Sequence, residues 1–157
     1  MSRRHRAEKR KIQPDPLYNN TTIQMLINKV MVSGKKSTAR TIVYKALANF
    51  VEKTGAPNVV EAFEQALENA KPSLEVKSRR IGGATYQVPV EIAPDRRISM
   101  AMSWIIQHAR SKKGRSMTDG LSIELYDCFK NQGTTIKKKD DLHKMAEANK
   151  AFAHYKW

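Results

Sequence analysis

Residues 77–92 of this chain read Lys-Ser-Arg-Arg-Ile-Gly-Gly-Ala-Thr-Tyr-Gln-Val-Pro-Val-Glu-Ile. Polar and apolar residues alternate on both sides of the Gly-Gly pair, and the alternation begins as far back as Leu74. A period of two is the period of a β-strand, and two such runs around glycines predict a β-hairpin. No other segment has a convincing period of two, so we predict a single hairpin over residues 74–92.

The same alternation predicts how the two strands pair. Opposite residues in a hairpin share a face of it. A two-residue loop at Gly82-Gly83 would therefore place Lys77 opposite Val88 and mix polar with apolar side chains. A loop of three or five residues would place Val76 opposite Val88, so we expect an odd-length loop with a glycine at positive φ.

The hairpin is expected to form a projecting arm with a basic tip. An isolated two-stranded hairpin is marginal in water, so the apolar residues at its base should pack on helices. Arg79 and Arg80 stand beside the turn, where they suit a polyanion. An ordinary solvated hairpin is the alternative interpretation.

Elsewhere, apolar residues recur at the spacing of amphipathic helices. We predict six helices, three before the hairpin and three after it, at about residues 21–32, 37–53, 59–71, 96–110, 116–130 and 134–149. Their expected N-caps include Ser37, Asn58, Ser116 or Asp119, and Thr134 or Thr135. Gly120 within the fifth helix should cost about 1 kcal/mol relative to alanine. The predicted fold class is mainly α: a six-helix bundle with one protruding β-hairpin arm between the third and fourth helices.

At 157 residues the chain is expected to form one domain, with a basic N-terminal extension over residues 1–16 that is disordered in the free protein. The single cysteine, Cys128, cannot pair within the chain and is predicted to be a small core residue. No apolar run approaches the ~20 residues that span a bilayer, and no targeting peptide is evident.

Lysine and arginine number 29 against 15 acidic residues, a formal net charge of +14. Such an excess favours binding to nucleic acid or to an anionic membrane. The basic residues cluster in loops, termini and helix ends, which suits a protein held among several RNA segments. Lys137, Lys138 and Lys139 fall in the first turns of the sixth helix, where the helix dipole disfavours cations. This placement suggests that an external anion lies near that terminus.

The sequence offers no catalytic chemistry. The four histidines lack the helical spacing of metal ligands, and one cysteine cannot build a zinc site. Gly82-Gly83 is followed by no Gly-Lys-Ser/Thr, so it is not a phosphate loop. We therefore predict no enzyme, no cofactor and no metal. The alternatives are a DNA-binding architectural protein and a basic RNA-cleaving enzyme, for which Asp140-Asp141 would be a poor metal site.

Two long motifs, residues 79–91 (Arg-Arg-Ile-Gly-Gly-Ala-Thr-Tyr-Gln-Val-Pro-Val-Glu) and 143–155 (His-Lys-Met-Ala-Glu-Ala-Asn-Lys-Ala-Phe-Ala-His-Tyr), resemble those of the small-subunit ribosomal protein seven (S-seven) family of bacteria and plastids. The resemblance extends over essentially the whole chain. It implies a six-helix fold with a β-arm after the third helix, and a primary binder of small-subunit (16S-type) rRNA that nucleates assembly of the subunit head. It also implies a site at the subunit interface near the exit-site tRNA and the mRNA path, with small-subunit ribosomal proteins nine and eleven as neighbours. The compartment would be the bacterial cytoplasm or the plastid stroma.

The resemblance also implies roles for individual residues. The arm residues expected near exit-site tRNA and mRNA are Lys77, Arg79, Arg80, Gly82 and Gly83. The residues expected to contact rRNA are Arg3, Arg4, Arg6, Arg10, Lys11, Lys35, Lys36, Arg110, Lys112, Lys113 and Arg115, to which the charge pattern adds Lys137 and Lys138.

Overall fold

The structure, a computed structural model, describes residues 10–155. It contains six α-helices: α1 (Thr21–Val30), α2 (Lys36–Thr54), α3 (Val59–Ala70), α4 (Pro94–Ser111), α5 (Met117–Phe129) and α6 (Thr134–Ala148). Strands β1 (Leu74–Ile81) and β2 (Ala84–Glu91) form the hairpin between α3 and α4, and a short 3-10 helix (Lys150–Tyr155) ends the described chain. The mainly α fold with an arm after the third helix is thus confirmed.

The core is one cluster to which all six helices contribute, because each buries a stripe of apolar side chains. Helix α5 lies at its centre and packs against α2, α3, α4 and α6. Cys128 is fully buried in this cluster, as predicted. Of the helices in residues 10–155, none combines the length and apolarity needed to cross a membrane.

Two of the predicted helix caps are confirmed and two are wrong. The Asn58 side chain accepts a hydrogen bond from the Val60 N–H, and Ser116 accepts one from the Asp119 N–H. Helix α2 instead begins at Lys36, before Ser37, and its N-terminus has no side-chain cap. Helix α6 begins after Gly133, whose φ of 91° turns the chain. The hydroxyls of Thr134 and Thr135, its first two residues, donate hydrogen bonds to Glu124 of α5.

The predicted arm register is wrong. Strands β1 and β2 pair Lys77 with Val88 through a two-residue turn at Gly82-Gly83. Both glycines have positive φ (56° and 92°), which suits the tight turn whose twist matches the flanking strands. The prediction assumed that the face carrying Val88 holds only apolar residues.

That face is completed by a buried carboxylate. Glu75 lies on it, 7% exposed, and its oxygens are 2.9 Å from the Arg96 guanidinium and 3.1 Å from the Lys77 ammonium. Because these cations compensate the buried charge, the mixed face is stable. Burial opposes ionisation of Glu75, but the hydrogen bonds from Arg96 and Lys77 hold its pKa below the usual range. The arm is therefore tied to the start of α4 by an ion pair.

The expected disorder of the N-terminal extension is wrong at its last residues. Asp15 is 1% exposed and accepts hydrogen bonds from the Tyr44 hydroxyl at 2.7 Å and from the backbone N–H groups of Leu17 and Tyr18. The Tyr44 hydroxyl belongs to α2, so Asp15 fixes the end of the extension against the bundle. Residues 1–9, with Arg3, Arg4 and Arg6, lie outside the described residues.

Candidate nucleic-acid interface

The first group of predicted RNA-binding residues meets at a cleft between residues 11–16 and helices α1 and α2. Lys11 and Lys36 line this cleft, which has a volume of about 490 Å³, and Arg10 is exposed just before it in the chain. Arg40 lines it too, four residues after Lys36 on the same face of α2. The sequence prediction missed Arg40, although its helical spacing from Lys36 was the available signal.

The second group lies where the α1–α2 loop meets the end of α4. Lys35 and Arg110 line one groove there, and the Arg110 guanidinium donates a hydrogen bond to the Val30 carbonyl at 3.1 Å. Lys113 and Arg115 are exposed on the α4–α5 loop that follows. The structure thus brings together residues that are about 75 positions apart in sequence.

The lysines at the start of α6 have different environments. Lys137 is exposed, whereas Lys138 donates to the Gln107 side chain at 3.1 Å and lies 5.5 Å from the centre of the Trp104 ring. Lys139 donates to the backbone carbonyl of Asn69 at 2.8 Å. Lys137 is therefore the most accessible of the three to an RNA phosphate.

Lys112 is directed into the protein. Its ammonium lies 3.0 Å from Glu124 Oε2 and 3.7 Å from Asp127 Oδ2, and its side chain is 25% exposed. Burial raises the pKa of Asp127 above its usual value. The same ammonium neutralises the fully buried carboxylate of Glu124. Lys112 is thus engaged in linking the α4–α5 loop to α5.

Glu124 is also the anion at the N-terminus of α6. Its Oε1 accepts hydrogen bonds from the Thr135 N–H (3.2 Å), the Thr135 hydroxyl (2.6 Å) and the Thr134 hydroxyl (3.0 Å). An anion at a helix N-terminus is stabilised by the helix dipole and the free N–H groups. Burial opposes ionisation, yet the hydrogen bonds from Thr135 and Lys112 keep the pKa of Glu124 below normal. An internal carboxylate therefore lies at the helix terminus where the placement of the lysines suggested an external anion.

The arm is held at its base and along its length. His143 of α6 accepts a hydrogen bond from the Ser73 N–H at 3.0 Å, just before β1. Farther out, the Tyr86 ring packs against Phe152 and Tyr155 of the 3-10 helix, with ring centres 5.3 and 5.4 Å apart. The C-terminal segment therefore braces the arm.

Of the predicted arm residues, Arg79, Arg80, Gly82 and Gly83 lie in the distal half of the hairpin, and Lys77 lies in the half nearer the base. Arg80, Gly82 and Gly83 are exposed, and Arg79 is half-buried. Lys77 is exposed although it pairs with Glu75. Within the described residues 10–155, no group of three or more histidine, cysteine or acidic side chains could hold a metal ion.

Comparison with known proteins agrees with this arrangement. The family model described as ribosomal protein S7p/S5e matches residues 2–150. Proteins named small ribosomal subunit protein uS7 are 71% identical in Protochlamydia amoebophila, 66% in Chlamydia abortus and 65% in Chlamydia trachomatis serovar L2, each over the full length of both chains. The chain therefore belongs to the ribosomal protein S7p/S5e family.

Proposed function

We propose that this protein is a primary binder of the 16S-type rRNA of the small ribosomal subunit and nucleates assembly of the subunit head. As a member of a ribosomal protein family, it is a structural component of the ribosome that binds rRNA, not an enzyme. The observation that carries the proposal is the grouping of cations from separate elements at two clefts, the exposed Lys11 and Lys36 with the half-buried Arg40, and Lys35 with Arg110. Such groups neutralise phosphates of different RNA segments at once.

The proposed rRNA contacts are the basic residues that the resemblance and the charge pattern indicate, apart from Lys112. They comprise the N-terminal residues Arg3, Arg4, Arg6, Arg10 and Lys11, then Lys35, Lys36, Arg110, Lys113, Arg115, Lys137 and Lys138. We assign Lys112 an indirect role, because its ion pair with Glu124 positions the loop that carries Lys113 and Arg115.

We further propose that the arm lies near the exit-site tRNA and the mRNA path, with small-subunit ribosomal proteins nine and eleven as neighbours. The basic residues of its distal half and its packing against the C-terminal segment support the proposal that it is a rigid arm for contacts away from the bundle. The relatives named above come from bacteria of the Chlamydiae, which favours the bacterial cytoplasm over the plastid stroma.

Filter binding across a salt series tests the rRNA assignment. The ligands are the 3′ major domain of small-subunit rRNA and a scrambled RNA of equal length. We expect affinity for both to fall with salt, since both offer phosphates, and selectivity for the ribosomal fragment to survive at moderate salt. Equal affinities that vanish together would contradict specific rRNA binding. Competition with excess duplex DNA should leave the rRNA complex intact, whereas a DNA-binding protein would be displaced.

Charge reversal at the tip tests the assignment of the arm. The double variant Arg79→Glu/Arg80→Glu should weaken exit-site tRNA retention on reconstituted subunits about tenfold or more, because it replaces two attractions to phosphate by repulsions. Its affinity for the rRNA fragment should change far less. The matched control is Lys45→Glu/Lys144→Glu, which reverses two exposed charges on helices. Equal losses of tRNA and rRNA binding would contradict the proposal that the arm tip contacts tRNA while other residues bind rRNA.

A further inference from the structure

An apolar groove with a cationic rim lies between the α1–α2 loop, the face of α2 and the α4–α5 junction. Its volume is about 290 Å³, and its apolar lining includes Val32, Ile42 and Met117, which we call its floor. Its polar lining consists of Lys35, Thr38 and Arg110, which we call its rim, and none of the described residues that line it is acidic. We refer to these six residues as the loop groove.

The loop groove exposes apolar surface that the fold does not require. Val32 is 60% exposed although α1 and α2 bury their apolar faces around it. An exposed apolar surface rimmed by polar groups is typical of a binding site. The loop that carries Val32 has a fixed shape, because the Lys35 N–H bonds the Val32 carbonyl and the Lys36 N–H bonds the Gly34 carbonyl.

The rim cations are placed at the mouth of the groove by the backbone. Arg110 is held there by its hydrogen bond to the Val30 carbonyl at the end of α1. Lys35 is the last residue before α2, so its position is set by the start of that helix. A ligand that fills the groove therefore meets two positive charges at its edge.

We propose that the loop groove binds an unpaired nucleobase of the RNA, with its flanking phosphates at Lys35 and Arg110. A nucleotide combines a flat apolar face with anionic groups on either side, which matches an apolar floor between two cations. A base in a duplex keeps its faces stacked on its neighbours, so only an unstacked base can enter. Thr38 supplies a hydroxyl that can donate to or accept from the base edge. This inference rests on the proposed rRNA function and adds to it the part of the RNA that is recognised.

The test fills the groove without altering its charge. The full-length variant Thr38→Phe places a ring over the floor, and Thr41→Phe adds the same ring one turn away on the exposed side of α2. We expect Thr38→Phe to weaken binding to the 3′ major domain about tenfold, the size of the loss when one base loses its stacking contacts. Thr41→Phe should bind as the wild type does. A second variant, Val32→Ser, should weaken binding about threefold by removing part of the floor.

An abasic scan then identifies the base. Each unpaired nucleotide of the fragment is replaced in turn by an abasic one. At one position the abasic replacement should weaken binding by the wild-type protein about tenfold and leave the affinity of Thr38→Phe unchanged. This pattern is expected when the abasic replacement and the substitution remove the same contact.

Several results would overturn the proposal. They are wild-type affinity in Thr38→Phe, equal losses in Thr38→Phe and Thr41→Phe, or no abasic position coupled to residue 38. If Thr38→Phe binds protein-free RNA as tightly as the wild type does, the occupant of the groove is instead an apolar side chain of a neighbouring protein. If the wild type does not prefer the fragment over scrambled RNA, the proposed function fails. If it does and Thr38→Phe behaves identically, only the groove inference fails.

Discussion

Replacement of Glu124 by alanine is expected to lower the free energy of unfolding by about 3–5 kcal/mol, the typical cost of removing one partner from a buried ion pair. The Glu124 side chain is fully buried, and the Lys112 ammonium that pairs with it is 25% exposed. Without the carboxylate, this ammonium keeps its charge in a half-buried site. The Thr135 N–H and two threonine hydroxyls also lose their acceptor at the start of α6. Three structural units, the α4–α5 loop, α5 and α6, are joined at this one side chain.

Chemical denaturation of a variant series measures the effect. Glu124→Gln keeps an oxygen that can accept from Thr135 but removes the charge, so it should cost less, about 1–3 kcal/mol. Glu52→Ala removes an exposed carboxylate from α2 and should stay within about 0.5 kcal/mol of the wild type. If Glu124→Ala is as mild as Glu52→Ala, the carboxylate does not join the three units.

The same carboxylate makes a pH-dependent contribution whose sign is fixed. Although burial raises it, the pKa of Glu124 in the folded protein lies below the ordinary value of 4.5, because the hydrogen bonds from Thr135 and Lys112 outweigh burial. The unfolded state therefore binds the proton first as the pH falls. This contribution is fully present above the ordinary pKa and is lost as the pH falls through the folded value. The stability of Glu124→Gln should accordingly fall less with acid than that of the wild type.

The helices and the existence of the arm were predictable because both depend on local periodicity. The cap at Asn58 was predictable for the same reason, since its partners are the next few residues. The arm register was not, because the charge of Glu75 is compensated by Arg96, which follows 21 residues later. A sequence pattern treats Glu75 as a solvent-facing residue, and only the tertiary fold supplies its partner.

In the candidate interface, too, the sequence predicts what depends on local pattern and misses what depends on tertiary contacts. The sequence predicted Lys35, Lys36 and Arg110 as RNA contacts, and the structure places these three residues at clefts. Lys112 has the same local sequence context as its neighbour Lys113, yet it pairs with a glutamate that a helical pattern does not mark as buried. Which lysines of a basic loop are free for RNA is decided by such distant carboxylates.

Substitution of Gly120 by alanine tests whether the close contact between α4 and α5 outweighs the gain in helix propensity. By propensity alone, alanine within α5 should stabilise the protein by about 1 kcal/mol. A Cβ at Gly120 would, however, stand 2.7 Å from the Ala109 carbonyl oxygen of α4 and 3.4 Å from its carbonyl carbon. Real Cβ contacts are essentially never that short, so α4 and α5 would have to separate. We expect Gly120→Ala to lower the free energy of unfolding by about 1–3 kcal/mol, the usual cost of overpacking.

A substitution at Ala109 provides the control. Because the clash is with a backbone carbonyl and not with a side chain, Ala109→Gly cannot relieve it. The double variant should therefore be at least as unstable as Gly120→Ala, whereas a side-chain clash would be rescued. Displacement of α4 would also shift Arg110, which follows Ala109, so we expect weaker binding to the 3′ major domain. A gain in stability for Gly120→Ala would mean that α4 and α5 are not in close contact at this position, and that its glycine is dispensable.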